Sequence, residues 1–203
     1  MTIGYPNGKS YTPKVKAPSK QTDNNKKMMD TSYSNRGKTL EDEINDTNTY
    51  YINNKLAIIH KKPVPIQIVK VEYPSRSAAV IREAYFRTPS TTDYNGVWNG
   101  RYIDFEAKET KNKTSFPLNN VHPHQISHMS AVAEQNGITF MIVRFSSLER
   151  YFVLPITVIL DAWAIMQSGG RKSIPLSIFE KQAYEIKLGY YPRIDYLPVI
   201  EKL

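Results

Sequence analysis

The sequence contains no cysteine. That excludes disulfide bridges, thiolate metal ligands and a cysteine nucleophile, and it turns the search for chemistry toward oxygen and nitrogen groups. Long apolar runs are missing too. A membrane-spanning helix needs roughly 20 consecutive apolar residues, and the best stretches, Ile138–Val143 and Tyr151–Leu160, are short or interrupted by Pro155. The first residues carry no apolar stretch of secretory-signal type. The expectation is a cytoplasmic protein with no membrane partner. Hydrophobic bulk is not lacking: 40% of the 203 residues are hydrophobic and 11% aromatic, with 14 tyrosines. That suffices for one packed domain and excludes wholesale disorder.

Acidic residues are the scarcer charge, 19 against 27 basic ones, for a net +8. Their placement is uneven. Residues 1–38 hold 8 basic and 2 acidic residues, and residues 55–113 hold 11 and 6. Between them lie Glu41, Asp42, Glu43 and Asp46 with no basic residue. Two basic zones of this kind suit a polyanion, so a nucleic-acid partner is expected; a solvated tail and an ordinary surface are the alternative.

Residues 1–30 are rich in Pro, Gly, Asn and Lys and poor in bulky apolar residues, which predicts a flexible basic arm. Residues 31–203 form the expected domain. Thr39 is a candidate helix N-cap, followed by Leu40, Ile44, Thr47 and Tyr51 at helical spacing, so a helix is predicted to about Asn53. Ala57–His60 reads as a short strand. In residues 61–90, Pro63 and Pro65 forbid an interior helix, and two extended pieces are predicted, the first stopped by Pro74 and the second running from Ala79 to Phe86. Lys61, Lys62, Lys70, Arg76, Arg82 and Arg87 punctuate them, as a basic projection or as a solvated loop.

Tyr94–Trp98 leads into Asn99-Gly100, a strong two-residue hairpin signal, and Arg101–Glu109 reads as the return strand. Asn95-Gly96 is a second possible turn. Pro117 and Pro123 flank the start of a helix through Gln125, Ile126, Met129 and Val132, ended by Gly137. Ile138–Phe145 and Tyr151–Leu154 read as buried strands and Ile156–Gln167 as an apolar helix ended by Gly169-Gly170. Tyr184–Lys187 and Ile194–Val199 read as strand-like. No internal repeat is present. The order implies one α/β domain with a mixed sheet.

If the turn is Asn99-Gly100, Asp93 falls opposite Glu106, with Cβ atoms roughly 5 Å apart. Glu106 and Lys108 then share a strand face, as do Thr91 and Asp93. Two opposed carboxylates repel unless a cation or a proton intervenes, and a sulfur-free site favours Mg²⁺ or Mn²⁺ over zinc. Such a metal in a basic surface suits phosphodiester hydrolysis, with Lys108 orienting water or neutralising charge. The alternative is an ordinary solvated cross-strand pair. Asp104 also shares the Glu106 face and could replace it as a ligand if the register slips.

The string Asp93…Glu106-Ala107-Lys108 has the form of the PD-(D/E)xK nuclease motif, with Thr92 where that motif has proline. Several further segments resemble the RecU family of Gram-positive Holliday-junction resolvases. They are Ser34-Asn35-Arg36-Gly37-x-x-Leu40-Glu41, Arg76-Ser77-Ala78-Ala79-Val80-Ile81, Thr91-Thr92-Asp93-Tyr94-Asn95-Gly96, Ile103-Asp104-Phe105-Glu106-Ala107-Lys108-Glu109-Thr110 and His124-Gln125. The resemblance covers nearly the whole chain. It implies a restriction-endonuclease-like mixed β-sheet flanked by helices, with residues 61–90 as a protruding stalk. It also implies a homodimeric, Mg²⁺-dependent endonuclease that cuts four-way DNA junctions symmetrically in recombination and repair and interacts with the RecA recombinase. On this resemblance Thr91, Asp93, Glu106 and Gln125 match the metal-site residues and Lys108 the transition-state stabiliser. Glu41 matches a helix glutamate of related archaeal resolvases that helps organise the metal or its water. Gln125, taken by itself, reads as a surface glutamine.

Arg36, Lys61, Lys62, Lys70, Arg76, Arg82, Lys111, Lys113, Arg171 and Lys172 are the candidate DNA-binding residues. His122, His124 and His128 do not make a zinc site, since no thiolate or fourth ligand accompanies them. Gly169-Gly170-Arg171-Lys172-Ser173 lacks the G-x-x-x-x-G-K-S/T spacing of a phosphate loop.

Overall fold

A computed structural model describes residues 38–75, 78–87 and 91–203. The expected arm over residues 1–30, and the candidate DNA contacts Arg36 and Arg76, lie outside the described residues.

Helix α1 (Leu40–Asn53) begins where the sequence sets a reciprocal cap. The Asp42 amide donates to Thr39 Oγ1 at 3.2 Å, and the Thr39 amide donates to the Asp42 carboxylate at 3.0 Å. This satisfies two amides that a helix start leaves open, and the three acids of the first turn complement the helix dipole. Strand β1 (Ile58–Lys61) follows, and then Pro63 and Pro65 break the chain. Among the described residues, strands β2 (Ile66–Ser75) and β3 (Ala78–Phe86) pair only with each other, as a two-stranded antiparallel ribbon. Pro74 does not end β2. On an exposed two-stranded ribbon a residue without an N–H is tolerated.

Strands β4 (Tyr94–Trp98) and β5 (Arg101–Thr110) form the expected hairpin. Asn99 (φ 48°) and Gly100 (φ 75°) both take the left-handed conformation that a twist-matched two-residue turn requires. The other possible turn, Asn95-Gly96, lies inside β4. A Cβ on Gly96 would sit 2.0 Å from the Ile58 carbonyl oxygen, so this glycine permits β1 to approach. Next come β6 (Ser115–Pro117), helix α2 (Pro123–Glu134), β7 (Ile138–Phe145), β8 (Arg150–Pro155) and helix α3 (Ile156–Gln167). The chain ends with β9 (Ser173–Pro175), helix α4 (Leu176–Gln182), β10 (Tyr184–Ile186) and helix α5 (Leu197–Ile200).

Six strands form one mixed sheet in the order β1-β4-β5-β7-β8-β10. Only β5 and β7 run parallel, joined by a crossover through α2. The mixed sheet flanked by helices is the architecture that the sequence predicted. Alternation along β5 and β7 divides the core. Ile103, Phe105, Phe140 and Ile142 pack with α1 and the C-terminal segment, whereas Met141, Val143 and Phe145 pack with α2, α3 and Phe179 of α4. Tyr94, Phe105 and Phe140 stack in series at 4.9 and 4.8 Å between ring centroids. Asp104, Glu106 and Lys108 therefore face the α2 side.

Three short elements were not anticipated: β6, β9 and α4. The two strands pair with each other, have three residues each and end in Pro117 and Pro175, too little for a periodic signal. The strand expected over Ile194–Val199 is instead a bend into α5. The Tyr196 and Leu197 amides both donate to the Tyr51 hydroxyl, at 2.9 and 3.2 Å, and this draws the chain out of extended geometry. No described helix is long and apolar enough to cross a membrane.

Candidate active site

The β4–β5 ladder keeps one register from Trp98–Arg101 to Tyr94–Phe105. Asp93 lies one residue past its end and accepts a hydrogen bond from the Ala107 amide, 3.1 Å to Oδ2. The Lys62 amide donates to the Asp93 carbonyl at 2.7 Å. Asp93 is thus held from β5 on one side and from the foot of the ribbon on the other.

Glu106 is fully buried. Its Oε1 accepts from Gln125 Nε2 at 2.6 Å and pairs with Lys108 Nζ at 2.7 Å. Its Oε2 is buried with no donor against it among the described residues, and when protonated the carboxyl hydrogen-bonds the Asp93 carboxylate. Burial first, and the Asp93 carboxylate second, push the Glu106 carboxyl up to about 7, against the opposing charge of Lys108. A carboxylate with one buried, unanswered oxygen beside a second carboxylate is poised to take up a positive charge.

Gln125, on the first turn of α2, works at both ends. Its Oε1 accepts from the His122 amide at 2.9 Å, which caps the helix, while its amide nitrogen reaches Glu106. Sequence alone read it as a surface residue; it is buried because the β5–α2–β7 crossover lays this turn against the polar face of β5. Beside it His122 and His124 stack at 5.4 Å, and burial together with the charges of His122 and Lys108 lowers the pKa of His124.

Glu41, Thr91 and Asp93 line an open cleft of about 240 Å³ together with Lys61, Lys62 and Thr92. Lys61 forms an ion pair with Glu41. Thr91 directs its hydroxyl at the Thr92 carbonyl, 3.5 Å away. Glu106, Lys108 and Gln125 do not line this cleft, so Asp93 is where the two groups meet. Among the described residues no three His, Cys, Asp or Glu side chains converge as a metal-binding group. The acidic donors on offer are the Asp93–Glu106 pair, whose hard oxygens and unpartnered Oε2 fit a divalent cation.

The remaining candidates divide by burial. Lys62 is largely enclosed and pairs with Asp104 at 2.6 Å. Arg82 and Lys70 are exposed on the ribbon and share Glu72, at 2.8 and 3.9 Å. Lys111 and Lys113 are exposed just before β6, and Arg171 and Lys172 are exposed just before β9. Arg171 donates to Ser173 Oγ at 3.2 Å.

Sequence reasoning passed over one cluster. Asp104, considered only as a substitute ligand, is fully buried and bound by Lys62, Thr92 and Tyr102. The signal was present in the alternation that puts Asp104 beside Glu106 and Tyr102, but Lys62 and Thr92 come from other parts of the chain.

A family profile described as recombination protein U (RecU) matches residues 35–202. Proteins named Holliday junction resolvase RecU are similar over nearly the full length. That of Bacillus subtilis (strain 168) is 55% identical over 201 residues, covering 99% of this chain and 95% of the relative. That of Lactiplantibacillus plantarum is 53% identical over 203 residues, covering 100% and 96%. A solved structure of Archaeoglobus fulgidus Hjc, a Holliday junction resolvase, aligns at a TM-score of 0.32 and 8% identity, over 56% of this chain and 77% of that one. On the profile and the full-length relatives, the chain belongs to the RecU family.

Proposed function

We propose that this protein is a divalent-metal-dependent endonuclease that resolves four-way DNA junctions by hydrolysing phosphodiesters. The observation that carries the reading is the Asp93–Glu106 pair, in which a buried carboxylate oxygen has no donor among the described residues and the second carboxylate raises its proton affinity. The near full-length likeness to proteins named as junction resolvases supports the substrate.

Asp93 and Glu106 would hold the metal, with Thr91 and Gln125 completing its surroundings as the family resemblance implies. A divalent cation held there, Mg²⁺ or Mn²⁺, would polarise a phosphoryl oxygen of the substrate and lower the pKa of a water. Gln125 fixes the Glu106 carboxylate through its amide N–H. Lys108 keeps a cationic donor beside Glu106, partly open to solvent, where it can meet charge developing on a phosphoryl oxygen. Glu41 lines the same cleft as Asp93 and, with Lys61 drawn off by phosphate, would accept a proton from an attacking water. The ribbon is the stalk of this reading, and its basic residues, with Lys111, Lys113, Arg171 and Lys172, bind phosphates and position the duplex arms. Two copies related by a two-fold axis would match the symmetry of a junction and cut opposed strands. The RecA recombinase is the protein partner that the resemblance implies.

The test is cleavage of end-labelled four-way junctions and matched linear duplexes in Mg²⁺, with Asp93→Asn as control. Metal-dependent, paired cuts in the junction are expected. Equal cutting of both substrates would defeat the junction reading, and tight junction binding without metal-dependent cutting would leave a binding protein.

A further inference from the structure

Two carboxylates on the same face of β5 are fully buried, Asp104 and Glu106. Glu106 keeps an unpartnered oxygen, whereas Asp104 is saturated. Its Oδ2 accepts from Lys62 Nζ at 2.6 Å and from the Tyr102 hydroxyl at 2.8 Å, and its Oδ1 accepts from the Thr92 hydroxyl. His128 Nε2 also lies 3.2 Å from Oδ2, although not aligned as a hydrogen bond. Burying a charge is costly unless it is paired and hydrogen-bonded, and here the contacts come from three other segments and from β5 itself.

Each segment touches the candidate metal site. Thr92 stands between Thr91 and Asp93. The Lys62 amide holds the Asp93 carbonyl at 2.7 Å, and Lys62 Nζ also donates to Thr92 Oγ1 at 3.0 Å. His128 follows Gln125 by three residues on α2, so both project toward β5. Tyr102 rises from β5 itself. Thr92 is 3% exposed and occupies the place of the proline in the PD-(D/E)xK form, a residue with no hydroxyl to give.

We propose that Asp104 is a positioning residue, with Thr92 and Lys62 as the arms through which it sets the Thr91–Asp93 segment against Glu106. The inference rests on reading Asp93 and Glu106 as metal ligands and adds a device that orients them. Outer partners of this kind change metal affinity when removed, by about 10- to 100-fold in typical sites. Asp104 itself does not enter the reaction, and its effect runs through the Thr92 hydroxyl.

The experiment is a Mn²⁺ titration of the full chain without DNA, with free Mn²⁺ read by electron paramagnetic resonance. Thr92→Val, nearly isosteric and without the hydroxyl, and Asp104→Asn should each bind Mn²⁺ about 10- to 100-fold more weakly than wild type. Thr92→Ser, which restores the hydroxyl, should bind like wild type. The Thr92 pair keeps the test decisive if Asp104→Asn folds poorly. Wild-type affinity in Thr92→Val, or equal loss in Thr92→Ser, overturns the positioning role while leaving the metal reading intact. A wild-type protein that takes up no Mn²⁺ overturns the metal reading and the positioning role with it.

Discussion

Two antiparallel hairpins lie in succession in this chain, β2–β3 and β4–β5, and they behave as opposites. The second has an unbroken register, a two-residue turn with both residues at positive φ, and a return strand in which Asp104 and Glu106 are fully buried. The first shows register shifts at three places, and every described residue of β3 is exposed. Its charges stand in water, where an ion pair such as Arg82–Glu72 contributes little. On β5 the Asp104 and Glu106 carboxylates have left water, so each must find a partner or remain unsatisfied. The same secondary structure thus serves two ends. Where it is packed inside the sheet it fixes the partners of its side chains. Where it stands alone it offers surface.

The largest contrast should appear in stability. Phe105 is stacked between Tyr94 and Phe140, and Phe105→Ala should cost about 3–5 kcal/mol. Phe86, at the end of the ribbon, is 83% exposed, and Phe86→Ala should change stability by no more than about 0.5 kcal/mol. Urea denaturation of the two variants measures the difference, and similar losses would mean that the ribbon is packed against something in solution. Activity should follow the same division. Asp93→Asn and Glu106→Gln should each lower kcat for junction cleavage by at least about 10²-fold, with folding intact by circular dichroism. Retention of more than a tenth of wild-type kcat in either variant would remove that residue from the metal site.

Glu106 also makes the packed hairpin sensitive to pH. Its carboxyl is raised from 4.5 to about 7 in the folded protein. Between these values the unfolded chain has released the proton and the folded one still holds it, so stability falls as pH rises. The loss amounts to roughly 3 kcal/mol at most across that window. In EDTA, the wild-type urea midpoint should drop from pH 4.5 to pH 8 relative to Glu106→Gln, which lacks the titrating group. Mg²⁺ should recover part of the loss at pH 8 in wild type alone. Parallel curves for the two proteins would show that Glu106 does not have the raised proton affinity assigned to it.

How far the sequence revealed each hairpin follows from the range of the forces involved. The β4–β5 turn was legible because Asn99-Gly100 is a local signal, and the turn then fixed the facing of Glu106 and Lys108 by simple alternation. Helix α1 was legible from Thr39 and the apolar spacing after it. The Asp104 network was not, since Tyr102 shares its strand face but Lys62 and Thr92 lie 42 and 12 residues away and only the packed fold brings them in. Nor was the burial of Gln125, which depends on the parallel pairing of β5 with β7. On the ribbon the sequence left a basic projection and a solvated loop both open, because exposed residues answer to no neighbour that would constrain them.

The ribbon's basic residues offer the smallest effect and the finest test of the comparison. Arg82 donates to Glu72 at 2.8 Å with both side chains largely in solvent. Arg82→Ala should leave stability unchanged within about 0.5 kcal/mol. If Arg82 meets a phosphate when the junction binds, the slope of log affinity against log salt should fall by about 0.9, the counterion release of one contact. Glu72→Ala should do the reverse in affinity, since it frees Arg82 and Lys70 from their shared acid and removes a negative charge from the phosphate's path. Fluorescence anisotropy of a labelled junction across a salt series reads both variants in Ca²⁺, to limit cutting. A slope unchanged in Arg82→Ala, with no gain in Glu72→Ala, would mean that this edge of the ribbon does not face DNA, and the exposed hairpin would then need a different partner from the one its charge suggests.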